Sequence, residues 1–84
     1  MSSLTDLVNI SKVIAADLQK AGISTVEELK RIGSKEAFLR IRLRADFEAC
    51  FSKLCALEGA IQGIRWHHLT DEVKSDLKKF FKSI

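Results

Sequence analysis

The chain has no proline and no tyrosine, and only four glycines, two cysteines and one tryptophan in 84 residues. Without proline or a long Gly/Ser stretch no linker divides it, so a single domain spanning residues 1–84 is expected. No run of about 18 apolar residues exists, which excludes a membrane-spanning helix. The N-terminus Met1-Ser2-Ser3-Leu4-Thr5-Asp6 lacks the basic and apolar regions of a signal peptide, so a cytoplasmic protein is expected. Also missing are a Gly-rich phosphate loop, a paired CxxC and an HExxH. A domain this short buries only roughly 60–65% of its unfolded surface, which leaves little stability to hold a strained catalytic cleft. A binding protein is expected, not an enzyme, with no cofactor and no metal.

The few sulfur and imidazole groups fit that expectation. Cys50 and Cys55 are five apart, about 140° around a helix and beyond disulfide reach. They read as core thiols in a reducing compartment. His67 and His68 are adjacent and point in different directions, and neither combines with the cysteines at zinc-site spacing. A cysteine–histidine nucleophile pair stays open on sequence grounds. Against it stands the position of both cysteines on or beside an apolar stripe, where thiols are inert.

What is present is helical periodicity. At 46% apolar and 30% charged, the composition is that of a chain that folds unaided. Ile10, Val13, Ile14, Leu18 and Ala21 share one helical face. Gly22 supplies a left-handed helix end, letting Ile23 fold back on Leu18. Thr25 caps a second helix with Glu28 three residues on, and Val26, Leu29 and Ile32 form its stripe before Gly33 stops it. Ser34 caps a third, carrying Ala37, Phe38 and Ile41. The stretch Leu39–Arg44 alternates with period two and could be a strand, but a lone strand has no pairing partner. From Asp46 a central helix is expected, with Phe47, Cys50, Leu54, Leu57, Ile61 and Ile64 as its stripe and Phe51 widening it. Gly59 and Gly63 on its other side point to close packing, since each costs about 1 kcal/mol of helix propensity. Thr70 caps a last helix, with Val73, Leu77 and Phe80 facing inward. The fold class is all-α: a compact five-helix domain with two helix-hairpin-helix-like units packed on a long central helix.

Charge is unevenly placed. Between Lys30 and Arg44, six basic residues (Lys30, Arg31, Lys35, Arg40, Arg42 and Arg44) are opposed by Glu36 alone, giving +5; the rest of a chain of net +3 is therefore at −2. Such a pole is either an electrostatic footprint for nucleic acid or a solvated face. With Gly33 and Ser34 it forms a candidate nucleic-acid site. Trp66 is a candidate partner interface or base-stacking platform, against the simpler reading of a core plug at a helix corner. Two helix-hairpin-helix-like units are expected, one on Asn9-Ile10-Ser11-Lys12 and one over residues 26–37. Such motifs present backbone N–H groups and a helix N-terminus to a phosphate. They want glycines around the hairpin; the first unit has Asn9 and Ser11 there, and the second keeps Gly33 alone.

The segments Leu7–Lys12, Ala21–Leu29, Glu36–Arg40 and Leu54–Trp66, with the closing helix over residues 69–77, resemble the C-terminal domain of the TfoX/Sxy regulators of bacterial competence. Leu57-Glu58-Gly59-Ala60-Ile61-Gln62-Gly63-Ile64-Arg65-Trp66 is the most specific stretch. The resemblance spans about residues 4–81. It implies a five-helix domain and a co-regulatory role in DNA-uptake genes, exercised through a protein partner such as a transcription factor. Direct, sequence-nonspecific binding of nucleic acid by the basic pole is the alternative. The family's typical N-terminal α/β domain is missing from this sequence, so a stand-alone copy is expected.

Overall fold

The computed structural model describes residues 4–44 and 50–84. Among them the order is a 3-10 turn (Leu4–Asp6), α1 (Lys12–Lys20), α2 (Val26–Arg44), α3 (Phe51–Gln62), a 3-10 turn (Trp66–His68) and α4 (Asp71–Ser83). There is no strand among the described residues, and the Leu39–Arg44 stretch is helical. No helix there is long and apolar enough to cross a membrane.

The helix ends follow local chemistry. Ser11 caps α1 by accepting from Ile14 N at 3.2 Å, and Thr70 caps α4 by accepting from Val73 N at 3.2 Å. At the end of α1, Gly22 N donates to Gln19 O and Ile23 N to Leu18 O. These are the two closing bonds of a Schellman end, with Gly22 at φ 86°. Thr25 accepts from Glu28 N at 3.1 Å, but its hydroxyl bonds to the Glu28 carboxylate at 3.3 Å. The reciprocal half of the capping box thus runs between side chains.

Four expectations need correction. The five-helix count becomes four, because the second and third helices follow each other without a connecting loop as α2, interrupted only at the non-helical Gly33 (φ 85°, ψ 166°), which separates arms 26–32 and 34–44. The central helix begins at Phe51, because Cys50 is extended (φ −135°, ψ 155°) and a helix cannot run through it; Asp46 and Phe47 lie outside the described residues. Gly63 ends α3 in the left-handed conformation and has open space around it, so its role is conformational. Val13 is 68% exposed, because the buried side of α1 is made by Ala15 and Leu18, with Ile14 at its edge.

The core is otherwise as patterned. Leu18, Ile23, Leu29, Phe38, Ile41, Leu54, Leu57 and Leu77 are sealed from solvent. α3 is the hub, packing on α2, on α4 and on the Trp66 turn. Phe81 of α4 meets Phe38 and Phe51 edge-on at 6.1 and 5.9 Å, fastening the last helix to α2 and α3.

Candidate functional site

Two apolar hairpins recur, thirteen residues apart. In each, a residue at positive φ (Asn9 at 69°, Gly22 at 86°) is followed by a buried isoleucine (Ile10, Ile23), a serine and a new helix. The second unit is therefore centred on Gly22–Ser24 and not on Gly33. After Gly33 comes Ser34, with no apolar hairpin residue to bury.

Asn9 does more than a hairpin glycine could. Its Nδ2 donates to Ile64 O at 2.9 Å and, at a longer 3.5 Å, to Ala56 O, while its Oδ1 accepts from Trp66 N at 3.4 Å. One amide thereby closes the C-terminal end of α3 and the Trp66 turn against the N-terminal hairpin. Gly59 makes this possible. A β-carbon there would stand 2.6 Å from Asn9 Nδ2, 2.8 Å from Ile64 O and 3.1 Å from the Trp66 Cα. The expectation that Gly59 marks close packing is met.

Beside this clamp lies a groove of about 420 Å³, lined in part by Ser11, Ile14, Lys53, Arg65, Trp66 and His67. Trp66 is half-buried against the core, with the His67 ring stacked on it at 4.0 Å. It is therefore both a partial plug and a groove wall. Lys53 and Arg65 make the groove cationic.

A larger cleft of about 500 Å³ opens at the α2 bend, between α2, α3 and the first half of α4. Ile32, Val73 and Leu77 give it an apolar floor; Glu58, Glu72 and Asp76 line it with carboxylates. Ser34, only 4% exposed, does not cap the second arm of α2. It donates to Glu58 Oε1 at 2.6 Å, and Gln62 holds the other Glu58 oxygen at 2.6 Å. Lys35 bonds to Asp76 at 2.6 Å and lies 5.6 Å from the Phe80 ring centre.

The basic pole is thus divided in space. Gly33, Ser34 and Lys35 belong to the cleft, where carboxylates surround them. Arg40 pairs with Glu36 one turn back, at 3.1 Å. Lys30 and Arg31 are exposed on the first arm and Arg42 on the second; the Arg44 side chain lies outside the described residues.

The thiols are both free. Cys55 is fully buried, and that burial pushes its pKa above the ordinary value, with Lys74 pulling weakly the other way. Such a thiol is a poor nucleophile. Cys50 is half-buried at the start of α3, with its Sγ 3.3 Å from Ser52 Oγ. Among the described residues no three His, Cys, Asp or Glu side chains group as a metal site.

The model of the family described as the TfoX C-terminal domain matches residues 1–81. The chain belongs to that family. The TfoX C-terminal domain is a regulatory domain family associated with competence, and not a known enzyme family. Two solved structures share the fold of this TfoX C-terminal domain closely. One is an uncharacterised protein from Listeria monocytogenes in a triclinic crystal form: TM-score 0.93, 57% identity, covering 98% of this chain and 92% of that one. The other is a Listeria monocytogenes protein of unknown function in a tetragonal form: TM-score 0.90, 59% identity, covering 95% of this chain and 96% of that one. No curated protein matches the chain.

Sequence reasoning missed the carboxylates of the cleft in this TfoX C-terminal domain. One signal was available: Glu72 and Asp76 are an i,i+4 like-charge pair, an arrangement that costs an isolated helix a few tenths of a kcal/mol. Glu58, from a different helix, had no such signal.

Proposed function

We propose that this domain is a regulatory interaction module that works through a protein partner and carries no catalytic chemistry. The observation that supports it is the character of the cleft at the α2 bend. Glu58, Glu72 and Asp76 stand around the one glycine that was expected to admit a phosphate, and they would repel it. An apolar floor with charged walls has the composition of a protein-docking recess. The association of the family with competence supports a partner engaged in gene regulation, with a transcription factor the first candidate. The reading takes the domain to act in the cytoplasm, where free thiols such as Cys50 and Cys55 stay reduced.

The test is a pull-down from the native cell with and without nuclease. Specific capture that survives nuclease is expected; capture that disappears with nuclease overturns the reading in favour of nucleic acid.

A second reading, direct binding of nucleic acid, is favoured by the exposure of Lys30, Arg31 and Arg42 on α2. Labelled duplex DNA titrated at low and physiological salt separates the two, because phosphate contacts weaken steeply as counterions compete. The expected result is weak binding that is lost at physiological salt. Micromolar binding that persists there, and vanishes when Lys30, Arg31 and Arg42 are all changed to Ala, would establish the second reading.

A further inference from the structure

Resting on the protein-partner reading, we infer that the occupant of the cleft at the α2 bend is a cationic polypeptide segment. It would present a lysine or arginine next to an apolar side chain. The floor explains the apolar half. Val73 is half-buried at the cleft and Leu77 nearly sealed beneath it, with Ile32 opposite, so an aliphatic side chain entering there leaves water on both sides.

Charge complementarity explains the cationic half. Three carboxylates and one ammonium leave the cleft at −2 on a chain whose net charge is +3, so its sign is opposite to that of the whole molecule. One internal cation does not balance three carboxylates. The Glu58 oxygens accept from the neutral donors Ser34 and Gln62, and among the described residues Asp76 alone of the three has an ammonium, that of Lys35. Lys35 and Asp76 are both substantially exposed, at 43% and 65%, so their pairing is weak enough for an incoming guanidinium to replace. Glu72 stands one turn before Asp76 on α4, where a second cation of the same segment can reach it.

The direct test uses a fluorescein-labelled ten-residue peptide carrying two arginines around one leucine. Two controls match it: one with glutamate for arginine, one with serine for leucine. The expected result is at least about a tenfold preference for the parent over each control, and a loss of affinity as salt rises. In the Glu72→Gln, Asp76→Asn double variant the affinity should fall about tenfold with the helical fold retained, since both residues are exposed on α4. Amide shift changes on binding should centre on Gly33, Ser34 and Val73.

Equal binding of the glutamate control, no binding up to millimolar peptide, or shifts centred on the Trp66 groove would each overturn the inference. So would a concentration-dependent dimer that the double variant abolishes, because the occupant would then be a second copy. A native partner held as tightly by the double variant as by the wild type would sink the cleft and leave the interaction module standing. Failure of both proteins to capture any partner would sink the module itself.

Discussion

The molecule carries two recesses of similar size and opposite chemistry, one on either side of α3. The cleft at the α2 bend is walled by Glu58, Glu72 and Asp76, whereas the groove at the Trp66 corner carries Lys53 and Arg65. Along the sequence the assignment looks reversed: Gly33–Lys35 sits in the most basic stretch of the chain, and Trp66 closes a mostly apolar segment, residues 54–64, that carries one acid and no base before Arg65. The difference teaches that a count of charge along the chain is not a field in space. Helix α4 returns across the bend and brings Glu72 and Asp76 to the basic segment, converting an expected phosphate approach into its opposite.

The largest expected effect tests what the two recesses share. Leu57, 1% exposed, sits on α3 between Ala56 of one groove and Glu58 of the other. Leu57→Ala should cost about 2–5 kcal/mol through lost transfer energy and a residual cavity, in denaturant unfolding. An unchanged midpoint would mean that α3 is not the common wall. The next effect belongs to the corner alone. Asn9→Ala should cost about 1–3 kcal/mol by orphaning the Ile64 carbonyl. Asn9→Gly should recover part of that, because glycine accepts φ 69° without the penalty of a β-carbon. If both variants are equally unstable, backbone strain plays no part at this position.

At the bend, Gly33→Ala meets no atom within 4 Å but must hold φ 85°. A cost of about 1–3 kcal/mol is expected, from conformation and not from crowding, because φ 85° with ψ 166° is a region essentially confined to glycine. A neutral result in a thermal melt would show that the bend relaxes. Smaller still, Lys35→Ala removes an exposed ion pair and should shift stability by under about 1 kcal/mol.

The smallest expectation is no change. Chelator or reductant should leave the melt unaltered, since no disulfide links the two thiols. Burial raises the Cys55 pKa, so the folded state keeps its proton where the unfolded chain loses it. That contribution to stability is fully present below roughly pH 9 and is lost only as pH rises above it. A melt that moved between roughly pH 6 and 8 would therefore have another cause.

Much of this was legible because it is local. The left-handed end at Gly22, the caps at Thr25 and Thr70 and the closeness marked by Gly59 are each decided within a few residues, or by one propensity cost large enough to need a reason. Periodicity also placed Leu54, Leu57 and Leu77 in the core. What escaped was of two kinds. Periodicity does not report where a helix starts: Cys50 keeps the stripe in register while its own backbone is extended, just before α3. Neither does it report meetings between distant elements. Ser34 reaches Glu58 across 24 residues and Lys35 reaches Asp76 across 41. The cleft exists only as the sum of such meetings, so its carboxylates read as ordinary surface charge until the chain is folded.

The Asn9 amide has a consequence for synthesis on the ribosome. Its partners Ile64 and Trp66 lie 55 and 57 residues downstream. The N-terminal hairpin emerges first and yet has nothing to close on until most of the chain is made, whereas α1 and α2 can pair as soon as both are out. Nascent chains halted before Ile64 should therefore leave the segment around Asn9 open to protease while the Gly22 hairpin is already protected.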